Sequence, residues 1–270
     1  MRNQGSYSTF GLQEAQQLFE AYSTSYSEKK ISFLIRSVLG EAEAELEMVS
    51  YRSLLNETLM YCYPNETAIK TSFIDNVILR QSSNAVSVFE LPVGESRADI
   101  CKVNGHSAAY EIKTDLDSFY RLEKQLDDYF DVFDYVYVVT SDKRWKSLPD
   151  FVPETCGIYS YHQKRDGRYA FSLRRKPQLI RSHDGRKQLE AIPKRDIVSA
   201  FKLQNSVKKD EAIELILEKC SDSEINRAFK DYLKSRYSGK WDFFKSVHSQ
   251  IFEIDYEWFF RNNLEPSIIY

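Results

Sequence analysis

Apolar residues at helical spacing open the chain. Leu12, Ala15, Leu18, Phe19 and Tyr22 predict one helix. Ser27 then reads as a cap before Ile31, Phe33, Leu34, Ile35, Val38 and Leu39, a run that ends at Gly40. A third helical run covers about 41–61, and the polar start from Met1 to Ser8 is expected to be loose. Pro64-Asn65-Glu66 opens a fourth helix through about Arg80, with Ile69, Phe73, Val77 and Ile78 as its apolar stripe.

The periodicity then changes. Ala85 to Leu91 reads as a strand ended by Pro92 and Gly94. A hairpin follows, with Arg97-Ala98-Asp99-Ile100 on one strand and Tyr110-Glu111-Ile112-Lys113-Thr114 on the next. Asp115 or Asp117 can cap a helix running to Phe130. Asp134 to Thr140 is almost continuously apolar, the mark of a strand buried on both faces. Gly157 to Tyr161 and Tyr169 to Leu173 are two more strands around the Arg165–Arg168 turn. Beyond a loop at Ser182-His183-Asp184-Gly185, helical runs cover about 196–203, 207–218, 223–235 and 241–254. The second and third of these, flanking Cys220-Ser221-Asp222, faintly suggest a helix-turn-helix.

Strand, helix, strand implies a right-handed parallel crossover. The expectation is an α/β protein with a mixed central β-sheet flanked by helices. A helical segment (1–62) precedes the core (63–180), and a helical lobe (181–270) follows it.

The hairpin carries the candidate chemistry. Alternate strand residues share a face, so Glu111 and Lys113 point one way and Ala98, Ile100, Tyr110 and Ile112 the other, toward a core. A two-residue Asn104-Gly105 loop would pair Asp99 with Tyr110, on the wrong face. A three-residue Val103-Asn104-Gly105 loop with a G1 bulge pairs Asp99 with Ala109 and puts Asp99, Glu111 and Lys113 on one face. The bulged loop is therefore predicted. Two carboxylates are hard ligands for Mg²⁺ or Mn²⁺. Such an ion polarises a phosphate and acidifies a bound water, which the lysine can position.

Asp, then Glu-x-Lys on a hairpin followed by a helix, resembles the PD-(D/E)XK nuclease superfamily, although Ala98 stands where that family often has Pro. Gln125-Leu126-Asp127-Asp128-Tyr129 is similar to the Q-x-x-x-Y motif of its RecB-like branch. The resemblance covers about 64–175 and implies a restriction-endonuclease-like sheet and a metal-dependent nuclease, acting on DNA before RNA. It implies Asp99, Glu111 and the Ile112 carbonyl as metal ligands, Lys113 and Gln125 as catalytic groups, and water attack that leaves a 5′ phosphate. Its first core helix often lends an acidic residue to the metal. Glu66 is the candidate, with complementation of the helix N-terminus as the other use and Glu95 as a competitor. Arg121, Gln125 and Tyr129 form one helical stripe, on which Arg121 either meets a phosphate or pairs with Asp117 or Asp128. Arg174 and Arg175, with Lys164, Arg165, Arg168, Lys176, Arg181, Arg186 and Lys187, offer phosphate contacts or a solvated loop.

Composition narrows the alternatives. A formal net charge of −3 over 270 residues gives no global basic field, so nucleic acid must be met by a local patch and metal ions. Four scattered cysteines, with no C-x-x-C pair, argue against zinc and fit a reducing, cytoplasmic setting. No apolar run of membrane-spanning length appears. No phosphate-binding loop, nucleophile elbow or H-E-x-x-H motif is present, so nothing supports a built-in ATP motor or a serine hydrolase. The alternative to a nuclease is a catalytically silent nucleic-acid-binding or protein-interaction module that keeps the fold, with the helical lobes as a partner surface.

Overall fold

The computed structural model describes residues 10–39, 50–81 and 84–270. Met1 to Ser8, Gly40 and the first part of the 41–61 helical run lie outside the described residues. The chain divides into two compact units. One holds the described residues up to Arg80 together with His162–Ala170 and Asp242–Tyr270; the other holds Gln81–Tyr161 and Phe171–Trp241. This division cuts across the three segments read from the sequence.

The first unit is helical. Its helices are α1 (Leu12–Ala21), α2 (Glu28–Leu39), α3 (Tyr51–Cys62) and α4 (Glu66–Phe73). The Ser27 carbonyl takes the first α2 hydrogen bond, from Ile31 N at 3.0 Å. Asn65 caps α4, its side chain accepting from Ala68 N at 2.9 Å. α4 continues into a π-helical turn at Ile74–Ile78. Leu18, Ile31 and Ile35 bury part of the stripes that the helical spacing predicted, packed with Leu55 and Leu59 of α3, whereas Leu12 and Phe33, predicted in the same stripes, face solvent.

The second unit carries most of a six-stranded sheet in the order β1 to β6. The strands are β1 (Val86–Val93), β2 (Ser96–Asn104), β3 (His106–Lys113), β4 (Tyr135–Ser141), β5 (Gly157–Gln163) and β6 (Tyr169–Arg175). β1, β2 and β3 pair antiparallel, whereas β3, β4 and β5 pair parallel, so the sheet is mixed. Pro92 does not end β1 but sits inside it, which an edge strand tolerates. α5 (Leu122–Phe130) fills the crossover between β3 and β4, and buries Leu122, Leu126 and Tyr129. β4 lies between parallel neighbours with Val136, Val138 and Val139 wholly buried, as its apolar run predicted.

Helices α6 (Gly185–Glu190), α7 (Lys194–Ala200) and α8 (Lys209–Lys219) follow the sheet. The runs predicted at 223–235 and 241–254 begin as one helix, α9 (Asp222–Val247). It passes through Gly239, where an added Cβ would meet nothing within 4 Å. The short α10 (Tyr256–Asn262) is followed by one 3₁₀ turn at Pro266–Ile268. No helix among the described residues is long and apolar enough to cross a membrane.

The hairpin turns otherwise than predicted. Asn104 faces His106, and Gly105 alone, at φ 76°, makes the turn. Ile100 faces Tyr110, so the next step sets Asp99 opposite Glu111 rather than Ala109. The shared face survives because Ala109 and Glu111 are two residues apart and a strand repeats every two.

Candidate functional site

Asp99, Glu111 and Lys113 stand on one face of the β2–β3 hairpin, and α5 lies across it. Glu111 is 2 % exposed. Its Oε1 accepts from Lys113 Nζ at 2.7 Å and from Gln125 Nε2 at 2.6 Å. The Tyr129 oxygen stands 2.7 Å from Glu111 Oε2 and 2.6 Å from the Arg97 carbonyl; its single hydrogen serves one of the two at a time. Burial and the nearby carboxylate of Glu111 push the Tyr129 phenol far above its ordinary range, so it stays protonated. Asp99 Oδ2 accepts from Ile112 N at 2.6 Å, which ties the carboxylate to the strand between Glu111 and Lys113.

Helical spacing explains why α5 reaches this face twice. Gln125 and Tyr129 are one turn apart and meet the two oxygens of one carboxylate. Arg121, at the N-cap of the same helix, is exposed to solvent. Tyr129 is fully buried, which makes it a brace for Glu111 and not a surface contact for substrate.

The sequence reading missed Glu90. It lies in β1, where Phe89 faces Ile100 and Leu91 faces Ala98, so Glu90 stands opposite Asp99. Its backbone is left-handed at φ 56°, an uncommon conformation for a residue with a side chain. A carboxylate oxygen of Glu90 lies within 4.8 Å of one of Asp99. A single charge inside Val86-Ser87-Val88-Phe89-Glu90-Leu91 was the available signal.

Other predicted residues also make ion pairs and hydrogen bonds. Glu66 opens α4 in the helical unit, where it pairs with Lys70 at 2.9 Å. Glu95 is exposed at the β1–β2 turn and pairs with Lys124. Asp117 binds Thr114 N at 2.8 Å instead of capping α5. Arg174 donates to Ser160 Oγ at 2.6 Å, pairs with Asp142 at 3.0 Å and covers the Trp145 ring. Arg175 donates to the Cys156 and Pro153 carbonyls at 2.7 and 2.8 Å. Both arginines are fastened to the framework.

A divalent ion fits the donor set on chemical grounds, since Asp99, Glu111 and Glu90 are hard oxygen ligands. Gln125 Oε1 is buried with no hydrogen-bond partner, an acceptor suited to the hydrogen of a metal-bound or attacking water.

The fold and site thus define an α/β protein with a mixed, open sheet that gathers carboxylates, a lysine and a glutamine at one hairpin. The model of the family described as bacteriophage P4 protein cII matches residues 61–255, and the chain belongs to that family. No curated protein and no solved structure matches it.

Proposed function

We propose that this protein is a metal-dependent nuclease that hydrolyses phosphodiester bonds, in DNA before RNA, on a sheet of restriction-endonuclease-like type. The family name carries no activity. One observation supports the proposal most: Glu111 stands opposite Asp99, with Lys113, Gln125 and the Tyr129 hydroxyl all within hydrogen-bond distance of its carboxylate.

Asp99, Glu111, the Ile112 carbonyl and Glu90 would hold Mg²⁺ or Mn²⁺. Such an ion, when bound, polarises the phosphate and lowers the pKa of a water. Lys113, anchored by Glu111, orients the attacking water and meets the charge growing on the phosphate oxygens. Gln125 Oε1 accepts a hydrogen from that water. Tyr129 keeps Glu111 in place and touches no substrate. The water gives up a proton to solvent as its oxygen forms the new bond to phosphorus, and the bond to the 3′ oxygen breaks, that oxygen taking a proton from solvent. A 5′ phosphate remains. Arg121 contacts a neighbouring phosphate. A cytoplasmic location belongs to the same proposal.

The test is incubation with linear and closed-circular DNA and Mg²⁺ or Mn²⁺, beside Asp99→Ala. Cleavage by the wild type alone supports the nuclease. The saturation of Glu111 by three protein donors favours one rival, a silent binding module in which the network only rigidifies the hairpin. No cleavage, together with no heat of metal binding in calorimetry, selects that rival.

A further inference from the structure

Beside the candidate site, the second unit exposes an unusual group of apolar side chains. Leu116 is 55 % exposed, Tyr120 92 % and Phe151 51 %. Leu116 and Tyr120 lie in the segment that joins Lys113 to the helix bearing Gln125. Phe151 comes from the loop after β4, next to β3 in the sheet. An exposed aromatic group of this kind calls for an occupant.

The surroundings describe that occupant. A cleft of about 450 Å³ is lined by Phe119, Tyr120, Glu123, Asp150 and Phe151. Phe119 and Phe151 pack with ring centroids 5.2 Å apart, and the Arg144 guanidinium covers Phe119 at 3.9 Å. Arg144 is itself pinned by the Thr114 and Asp117 carbonyls. The aromatic wall is therefore held in place, and Tyr120 remains open to solvent. The polar groups of the cleft, Glu123 and Asp150, are carboxylates that accept hydrogen bonds and repel phosphate.

We infer that this cleft takes an unpaired nucleobase bearing an exocyclic amino group, and so directs the site to single-stranded nucleic acid. The inference rests on the reading of the site as a nuclease. Tyr120 and Phe151 stack the base, as aromatic side chains do for single strands. Glu123 and Asp150 accept from its amino group, the pairing that carboxylates make with cytosine. A paired base keeps its face stacked inside the duplex, so only an unpaired base can lie against Tyr120 and Phe151. The phosphates stay outside the cleft, near the exposed Arg121 at the start of α5.

The test is fluorescence anisotropy with the full chain in EDTA, using labelled twelve-nucleotide oligo(dC), oligo(dT) and a duplex. Thymine lacks the amino group. The expected order is oligo(dC) tightest, oligo(dT) several-fold weaker and duplex weakest. Tyr120→Ala and Phe151→Ala, at exposed positions, each weaken oligo(dC) by roughly tenfold. Glu123→Gln with Asp150→Asn erases the preference for oligo(dC), because an amide also donates. Any other order, or an undiminished Tyr120→Ala, overturns the inference. Metal-dependent cleavage without this order sinks the cleft and spares the nuclease; the order without cleavage does the reverse.

Discussion

Tyr129 and Glu111 are joined across α5 and β3 by a 2.7 Å hydrogen bond, and both side chains are almost wholly buried. The phenol is the partner of Glu111 Oε2, while Gln125 and Lys113 meet Oε1. Tyr129→Phe keeps the ring packed and removes only the oxygen. Its expected effect is a roughly tenfold loss of cleavage rate with about 1 kcal/mol of stability lost. Cleavage kinetics beside urea unfolding check both, and a Tyr129→Phe protein that cuts at the wild-type rate would make the residue merely structural.

Lys113 is the cation paired with Glu111. Lys113→Ala removes the group that orients water and leaves a buried carboxylate short of a donor. Cleavage is expected to fall at least 100-fold, with circular dichroism unchanged. A Lys113→Ala protein that cuts at the wild-type rate would show that the lysine neither orients water nor steadies the phosphate.

Glu90 separates metal binding from folding. Glycine accepts the left-handed φ of 56° that a glutamate adopts unwillingly. Glu90→Gly is therefore expected to keep the melting temperature or raise it slightly, while Mn²⁺ affinity drops about tenfold or more. Isothermal titration calorimetry reads the affinity; unchanged binding removes Glu90 from the ligand set.

Asp75, in the π-helical turn, makes the helical unit sensitive to pH. Burial, then repulsion by Glu253, raises its carboxyl from 3.8 to about 6, against the opposing hydrogen bond from Tyr256. The folded state thus binds the proton more tightly than the unfolded chain does. Stability is greatest below the unfolded value near 4, falls as pH rises toward 6 and stays lower above it. Asp75→Asn removes this loss, worth roughly 1–3 kcal/mol by pKa arithmetic. Thermal melts from pH 4 to 8 should show the wild type falling relative to the variant; parallel curves refute the assignment.

Asp134 anchors the start of β4. It accepts from Ser107 N at 2.7 Å, Asn226 at 2.8 Å and Lys230 at 3.0 Å, and these bonds hold its carboxyl below the usual range against the opposing effect of burial. Asp134→Ala strands those donors and is expected to destabilise by about 3–5 kcal/mol, read from denaturant midpoints. A loss under 1 kcal/mol would show that water replaces the carboxylate.

Local pattern alone determined much of this protein. Helical spacing located α1, α2 and α5, the unbroken apolar run located β4, and period two placed Glu111 and Lys113 on one face. Gln125 and Tyr129 were legible because four residues make one helical turn, a distance the sequence carries within itself. Other features were decided only by tertiary structure. The hairpin register depends on how Gly105 turns, and a turn of one residue more or less leaves the sequence unchanged. Glu90 meets Asp99 only because β1 pairs with β2 in one particular register, which no local period encodes. Arg174 and Arg175 read as free cations along the chain, yet folding brings Ser160, Asp142 and main-chain carbonyls to them. Periodicity reports the face of an element; which element covers that face is settled by packing between residues far apart in the chain.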